Sequence, residues 1–170
     1  LDFQKVEQSA EQVRLQDIEL PMLLRVQLEK FVLAAQEKHI QLCIETCPQQ
    51  QIHSDVKMMD LILENLLSNA IKYTPQGGKV TLSASVEGKM AMIHVCDTGI
   101  GIPKAEIKSI FKTFFRASNA INSQEMGSGL GLMLTRKLVE KLGGKLSFVS
   151  EEGKGTTFCV KVPLGNVTDS

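Results

Sequence analysis

An acidic residue and two glycines follow an alternating apolar segment in the stretch VCDTGIGIP, Val95 to Pro103. Glycine reaches backbone angles that are closed to other residues, so Gly99 and Gly101 predict a tight turn with little side chain around Asp97. A carboxylate held rigidly beside bare backbone is a candidate for chemistry. The same residues also suit an ordinary strand-end turn with an Asx-type hydrogen bond, and the stretch alone leaves both interpretations open.

A row of polar residues lies in the segment ENLLSNAIKYT, Glu64 to Thr74. At 100° per residue, Asn65, Asn69, Lys72 and Tyr73 fall on one face of a helix. The opposite, core-facing side carries Met59, Leu63, Leu66, Leu67, Ala70 and Ile71. A solvated face is the usual meaning of such a row, but asparagine is a poor helix former and serves solvent less well than lysine or glutamate.

A third candidate is the glycine-rich segment GSGLGL, Gly127 to Leu132, which leads into a predicted helix. Successive glycines let backbone amides approach an anion, and the helix N-terminus adds unpaired N–H groups and the positive end of its dipole. The segment is not a Walker A loop, since no GKS or GKT follows, and it reads GxGxG where the dinucleotide fingerprint is GxGxxG.

The elements that must position these residues follow from periodicity and turn signals. The predicted elements are a helix from Pro21 to about Lys38, a strand Ile40 to Thr46, a helix from Ser54 or Asp55 to about Tyr73, strands Lys79 to Val86 and Met90 to Cys96, a short helix Pro103 to Ile110, a helix from near Gly129 to Gly143-Gly144, and strands Lys145 to Ser150 and Thr156 to Val162. The polar segment Ala117 to Met126 is predicted to be mobile. Together they predict an α+β fold, a two-layer α/β sandwich in which a mixed sheet of about five strands carries helices on one face.

Length and composition favour one cored domain with a short extension. The chain has 170 residues, with 19 basic and 19 acidic residues and no block of like charge, which excludes a broad footprint for nucleic acid. No apolar run is long enough to cross a bilayer and no secretory leader opens the chain, so we expect a fragment that is not embedded in a membrane. At the start, Phe3, Val6, Ala10 and Val13 have the spacing of a coiled-coil or bundle helix.

The cysteines are expected to be reduced, buried or strand-edge thiols, which suits the cytoplasm. They are Cys43, Cys47, Cys96 and Cys159. A metal site built from the first two with His39 and His53 is the alternative, but the spacing matches no common zinc pattern.

Taken in order and spacing, ENLLSNAIKYT, DTGIGI, IFKTFFR and GSGLGL resemble four motifs of the nucleotide-binding domain of bacterial two-component sensor histidine kinases. These are the asparagine box, the first glycine box, the phenylalanine box and the second glycine box. GKGTTF resembles the closing glycine-threonine motif, and the initial LDFQKVEQ resembles the end of a dimerisation helix. The resemblance implies a GHKL-type (Bergerat) ATP-binding domain over residues 20–164, with residues 1–19 as helix end and linker and 165–170 as a tail.

For the base and the metal, the resemblance implies roles that these residues can physically perform. Asp97 would accept a hydrogen bond from the exocyclic amine of adenine, with Gly99 and Gly101 leaving room for the base. Asn69 would coordinate Mg²⁺, a hard cation that prefers oxygen ligands, between the protein and the ATP phosphates. Tyr73 would line the ribose and base, and Thr157 would support Asp97.

For the phosphates, the resemblance implies neutralisation by Lys72 and a cradle of backbone amides under a lid at Ala117 to Met126 that orders on ATP. The amides are those of Gly127, Gly129, Gly131 and Leu132. The nucleotide-binding set also includes Ile102, Phe111, Arg116, Ser128 and Leu130. Phe111, with Phe114 and Phe115, is interpreted as hinge packing and not as a chemical group.

The implied reaction is transfer of the ATP γ-phosphate to a histidine outside this chain, with Asn65 and Lys72 as the catalytic residues. His39 ends a helix, His53 lies in a loop and His94 lies in a strand, so none has a suitable context for the acceptor. ATPases of the same fold, such as the Hsp90, gyrase and MutL relatives, carry a glutamate where Asn65 stands. Asn65 cannot act as that base, so we expect slow hydrolysis and a role for Asn65 in orienting the partner helix.

Two alternatives to the kinase interpretation stay open, a GHKL-type ATPase and a non-catalytic nucleotide-binding module that only regulates. The implied partners are ATP with Mg²⁺, the histidine-bearing dimerisation domain of the same kinase, and the receiver domain of a response regulator. The full-length protein is expected to be a homodimer in the cytoplasm, with anchoring in the inner membrane as an option.

Overall fold

The computed structural model describes residue 4, residues 12–112, residue 117 and residues 131–165. The predicted apolar stripe of Phe3, Val6 and Ala10 lies outside the described residues, and so does most of the predicted lid. The same holds for the predicted helix start near Gly129.

The part of the chain that the structure describes contains seven strands, three α-helices and one 3₁₀ helix. In chain order they are β1 (Gln16–Glu19), α1 (Leu20–Glu37), β2 (Gln41–Ile44), β3 (Gln51–Ser54), α2 (Val56–Tyr73), β4 (Lys79–Glu87), β5 (Met90–Asp97), a 3₁₀ helix (Lys104–Ser109), α3 (Gly131–Lys141), β6 (Lys145–Glu151) and β7 (Gly155–Pro163). Within the described residues, the predicted helices and hairpins are present with bounds that lie within a few residues of those expected, and the short helix predicted after Pro103 is a 3₁₀ helix.

The main sheet has five strands in the order β2-β4-β5-β7-β6. β2 runs parallel to β4, whereas the β4–β5, β5–β7 and β6–β7 pairs are antiparallel. Inward-facing residues of these strands form one core with the buried residues of the helices. The sheet is thus mixed and carries its helices as a second layer, which confirms the predicted α+β sandwich.

Helix α2 shows why the sequence forms these elements where it does. Asp55 precedes it in extended conformation, and its side chain accepts a hydrogen bond from the backbone N–H of Met58 at 3.0 Å, as an N-cap should. Pro75 follows the helix and discourages its continuation. The apolar positions predicted from the helical phase are all buried, namely Met59, Leu63, Leu66, Leu67, Ala70 and Ile71.

A second sheet was not predictable from periodicity. β1 pairs antiparallel with β3, with Gln16 opposite Ser54 and Glu19 opposite Gln51. The prediction that His53 lies in a loop is therefore wrong, because His53 is part of β3. Each strand buries a single large apolar residue, Ile18 or Ile52, which is too little to produce a period-two pattern.

The cysteines are free thiols and all are partly buried. Burial raises the pKa of the Cys47 thiol and of the Cys159 thiol. Within the part of the chain that the structure describes, no group of three or more His, Cys, Asp or Glu side chains is arranged to hold a metal ion. The helices described in those same ranges are all too short or too polar to span a membrane.

Candidate functional site

Asp97 is the last residue of β5, and its carboxylate is fixed by two backbone amides. Oδ1 accepts a hydrogen bond from the N–H of Gly99 at 2.8 Å and another from the N–H of Thr156 at 3.2 Å. Burial raises the pKa of Asp97 to about 6, although both amides act in the opposite direction by stabilising the charged form. The result is a shielded but mostly ionised carboxylate near neutral pH.

Gly99 lies where the first glycine box meets the end of α2. A Cβ atom at Gly99 would lie 2.7 Å from Asp97 Oδ1 and 2.7 Å from the carbonyl oxygen of Tyr73, so the site has no room for a side chain. The next residue, Ile100, donates its N–H to the same Tyr73 carbonyl at 3.1 Å. The structure thus brings the Tyr73 carbonyl and the Asp97 carboxylate against the same glycine.

The other side of the loop rests on the β6–β7 turn. Gly101 has φ +66, and a Cβ there would overlap the carbonyl oxygen of Glu151. Gly153 donates its N–H to the carbonyl of Ile100 at 2.8 Å. Gly155 has φ +129, and a Cβ on it would overlap the carbonyl oxygen of Asp97. Two glycine-containing loops are therefore in direct backbone contact.

Two hydroxyl residues that the sequence analysis did not select complete this contact. The Oγ atom of Ser150 accepts a hydrogen bond from the N–H of Ile102 at 2.9 Å and lies 2.7 Å from Oγ1 of Thr156. It also donates to the carbonyl of Gly155 at 3.2 Å. The one signal that could have found them is the hairpin register, which places Ser150 opposite Thr156.

The Thr157 hydroxyl does not contact Asp97 as expected, and the backbone N–H of Thr156 donates to that carboxylate instead. Asp97 pairs with Thr156, whereas Thr157 pairs with Cys96 and donates its hydroxyl to the Cys96 sulfur at 3.1 Å. Successive side chains of a strand point to opposite faces, so a one-residue difference moves the hydroxyl to the other side of the sheet.

Asn65 does not share an open polar face with the other residues of its row. Only 7% of it is exposed, because α3 packs over this turn of α2. Its Nδ2 donates to Thr135 Oγ1 at 2.8 Å, and a Cβ on Gly131 would lie 2.5 Å from its Oδ1. Helical phase correctly groups Asn65 with its polar neighbours, but it does not reveal that another helix covers this position.

The remaining members of the row lie near the C-terminal end of α2. Asn69, Lys72 and Tyr73 are each half-buried, and the ammonium of Lys72 lies 5.8 Å from the centre of the Tyr73 ring. The Nζ atom of Lys38 donates to the carbonyls of Ile71 at 3.0 Å and Lys72 at 2.6 Å. These carbonyls belong to the last helical turn, where intrahelical donors are missing.

Phe111 lies among packing groups. Its ring meets the Phe148 ring edge-on, with centroids 5.7 Å apart, and the guanidinium of Arg136 lies 4.9 Å from the Phe111 centroid. Ile102 and Leu132 are partly buried and pack against the core. Gly131 and Leu132 begin α3.

The other predicted nucleotide-site residues lie outside the described residues. They are Arg116, Gly127, Ser128, Gly129 and Leu130. Their assignment to phosphate binding stays a prediction.

The chain is similar to known protein families and to curated proteins. Residues 54–166 match the family described as histidine kinase-, DNA gyrase B- and HSP90-like ATPases. The circadian input-output histidine kinase CikA of Synechococcus elongatus is 36% identical over 166 residues, which are 96% of this chain and 22% of that protein. The sensor histidine kinase WalK of Bacillus subtilis is 33% identical over 150 residues, or 86% of this chain and 24% of that protein. The chain spans about a quarter of the length of these curated relatives.

Solved structures agree. The catalytic domain of the histidine kinase ThkA superposes with a TM-score of 0.77 and 26% identity, covering 88% of this chain and 95% of that domain. Full-length ShkA in complex with AMPPNP gives a TM-score of 0.81 and 29% identity, covering 95% of this chain and 33% of that protein. The chain belongs to the family of histidine kinase-, DNA gyrase B- and HSP90-like ATPases, and it is the ATP-binding catalytic domain of a sensor histidine kinase.

Proposed function

We propose that this domain binds ATP with Mg²⁺ and transfers the γ-phosphate to a histidine on the dimerisation domain of the same kinase. The observation that carries the proposal is the Asp97 carboxylate, which two amides hold beside a loop that has no room for side chains. The family match supports the nucleotide, and the kinase relatives support the reaction.

Asp97 is suited to recognise adenine. Both amide bonds reach Oδ1, and among the described residues no donor is recorded at Oδ2, which leaves that oxygen for the exocyclic amine. Guanine presents a carbonyl at the same position, so its binding would place two acceptors against each other. Since an unpaired buried acceptor costs about 1–3 kcal/mol, and more when it is charged as the Asp97 carboxylate is, ATP should bind at least about tenfold more tightly than GTP.

Asn69 is the proposed protein ligand of Mg²⁺. Its side chain is half-buried near the C-terminal end of α2. A carboxamide oxygen is a ligand that Mg²⁺ accepts, so the residue fits the ion. When bound, the ion would neutralise charge on the phosphates, and Lys72 would do the same from the next turn of α2. Tyr73 would line the ribose and base.

We propose that Asn65 has a structural role in the site, in place of the predicted contact with a partner helix. Its amide is buried and bonded to Thr135, so it supports the start of α3. It has no basic group that could take a proton from water near neutral pH. We therefore favour phosphotransfer over the alternative of a GHKL-type ATPase.

The proposed protein partners are the dimerisation domain and the receiver domain of a response regulator. ThkA has been solved in complex with the response regulator protein TrrA. Among the histidines of this chain, His94 is half-buried in β5, which makes it a poor acceptor candidate. We further propose that residues 1–19 include the linker to the dimerisation domain, and that the full-length kinase is a dimer.

The decisive experiment uses ATP labelled on the γ-phosphate. The chain alone should stay unlabelled and release phosphate slowly, whereas a dimerisation segment bearing the acceptor histidine should acquire an acid-labile phosphoramidate. Covalent attachment of that segment should accelerate the transfer through its effective concentration. Labelling of His39, His53 or His94, or rapid phosphate release, would contradict the proposal. Binding of ATP without any transfer would favour the alternative of a regulatory module.

A further inference from the structure

The hydroxyl of Ser150 lies at the junction of three parts of the candidate site. It accepts a hydrogen bond from the N–H of Ile102, which lies in the loop that follows Asp97. It also contacts the hydroxyl of Thr156 and donates to the carbonyl of Gly155, both at the start of β7. Ser150 itself is in β6, so one side chain joins this strand to the glycine loop and to the next strand.

A hydroxyl has one hydrogen to donate and two lone pairs that accept. With the Ser150 hydrogen directed to Gly155, the lone pairs are filled by Ile102 N–H and by the Thr156 hydroxyl, so every position is used. Alanine would supply none of these bonds. A cysteine would fill the same space, but its sulfur is a weak donor and acceptor.

The contacts of Ser150 are linked to Asp97 through two segments, the start of β7 and the loop that follows Asp97 in the sequence. Thr156, held through its hydroxyl, donates its own N–H to Asp97 Oδ1. Ile102, held through its N–H, ends the loop that begins at Asp97. The surrounding backbone is in close contact where Gly155 meets Asp97 and where Gly101 meets Glu151, so the loop has little room to readjust.

We propose that Ser150 is a positioning residue for nucleotide recognition, holding Asp97 and the first glycine loop in the geometry that selects adenine. The proposal rests on the proposed function, because it requires that Asp97 meets the base. Ser150 contacts neither the carboxylate nor, on this proposal, the nucleotide, and acts through Thr156 and Ile102.

The test compares Ser150→Ala with Ser150→Thr, which retains the hydroxyl on a strand-favouring residue, and with Ser83→Ala, a half-buried serine of β4. ATP and GTP are titrated calorimetrically against the full chain in Mg²⁺. Ser150→Ala should weaken ATP binding roughly tenfold and GTP binding much less, so that the ATP/GTP ratio falls. Ser150→Thr should restore the ratio, and Ser83→Ala should leave it unchanged.

A second readout separates positioning from a general loss of stability. If Ser150→Ala releases the Thr156 amide from Asp97, the pH midpoint of ATP binding should rise, because that amide stabilises the charged carboxylate. Should the alanine variant not fold, Ser150→Cys carries the same test. Unchanged ATP affinity, ATP/GTP ratio and pH midpoint would overturn the inference while leaving the proposed function in place. Failure of the unmodified chain to bind ATP would overturn both.

Discussion

The side-chain amide of Asn65 donates a hydrogen bond to the hydroxyl of Thr135 at 2.8 Å, which joins the middle of α2 to the early turns of α3. The Thr135 hydroxyl in turn donates to the carbonyl of Gly131 at 2.7 Å. Both side chains are buried, so their hydrogen bonds hold the first turns of α3 against α2.

Replacing Thr135 with valine keeps the volume and leaves the Asn65 amide without its partner. Because a buried unpaired donor is costly, Thr135→Val should lower the free energy of unfolding by about 1–3 kcal/mol in urea denaturation. Adding Asn65→Ala to this variant should cost less than Asn65→Ala costs alone. Strictly additive losses would show that the two side chains are energetically independent.

ATP binding should depend on the ionisation of Asp97. The pKa of Asp97 is raised to about 6, so protonation on acidification removes the acceptor for the adenine amine. From about pH 7 to about pH 5 the affinity should fall roughly tenfold, measured by calorimetry. Asp97→Asn, titrated in parallel, reports the protonation of the ATP phosphates themselves. An equally steep pH dependence in that variant would sink the assignment.

The Asp97 carboxyl should also make the free energy of unfolding depend on pH, and this dependence should run opposite to that of ATP binding. The folded-state pKa of Asp97, about 6, exceeds the reference value of 3.8. The contribution of this carboxyl to the free energy of unfolding is therefore full below about pH 3.8 and is lost as pH rises through about 6. Without nucleotide, Asp97→Asn should therefore gain stability relative to the unmodified chain between about pH 4 and pH 8, by up to about 3 kcal/mol. Glu87→Gln, at an exposed carboxyl of β4, is the control and should show no such gain.

Removal of the Asn69 amide should affect the metal and spare the base. With Mg²⁺, Asn69→Ala should bind ATP much more weakly than the unmodified chain, and in EDTA the two should bind alike, because a ligand oxygen has been lost. Ser68→Ala, at the exposed neighbouring position, serves as the matched variant. A full Mg²⁺ response in Asn69→Ala would exclude Asn69 as the ligand.

Lys38 should stabilise the end of α2 from outside the helix. Its ammonium donates to the carbonyls of Ile71 and Lys72, at the negative end of the helix dipole. Lys38→Met keeps most of the side chain and should lower the free energy of unfolding by about 1–2 kcal/mol. It should also weaken ATP binding, because Asn69 and Tyr73 lie in those turns. Lys57→Met, at an exposed position of α2, should do neither.

Local signals were sufficient to predict α2 and the β4–β5 hairpin. The Asp55 cap, the apolar phase and the proline after the helix all lie within the segment they define. The β1–β3 pair was missed because each strand has four residues and one buried apolar side chain, so its existence depends on contacts made after the chain folds.

The site was predictable at the level of motifs and less so at the level of contacts. The motifs selected Asp97 and its glycines as candidates, but choosing Thr156 over Thr157 requires the register of β5 against β7. Likewise, helical phase placed Asn65 beside Asn69. The burial of Asn65 depends instead on α3, which is distant in sequence and contacts Asn65 through Thr135.

The N-cap of α2 has a consequence for how the domain opens. Asp55 is 5% exposed, and while one carboxylate oxygen caps the helix at Met58, the other accepts the N–H of Arg14 at 2.7 Å, just before β1. One side chain thus protects two amides 44 residues apart in sequence. In native-state hydrogen exchange, we therefore expect the Arg14 and Met58 amides to lose protection together, because detachment of the first strand also removes a partner of the side chain that caps the helix carrying Asn65 and Asn69.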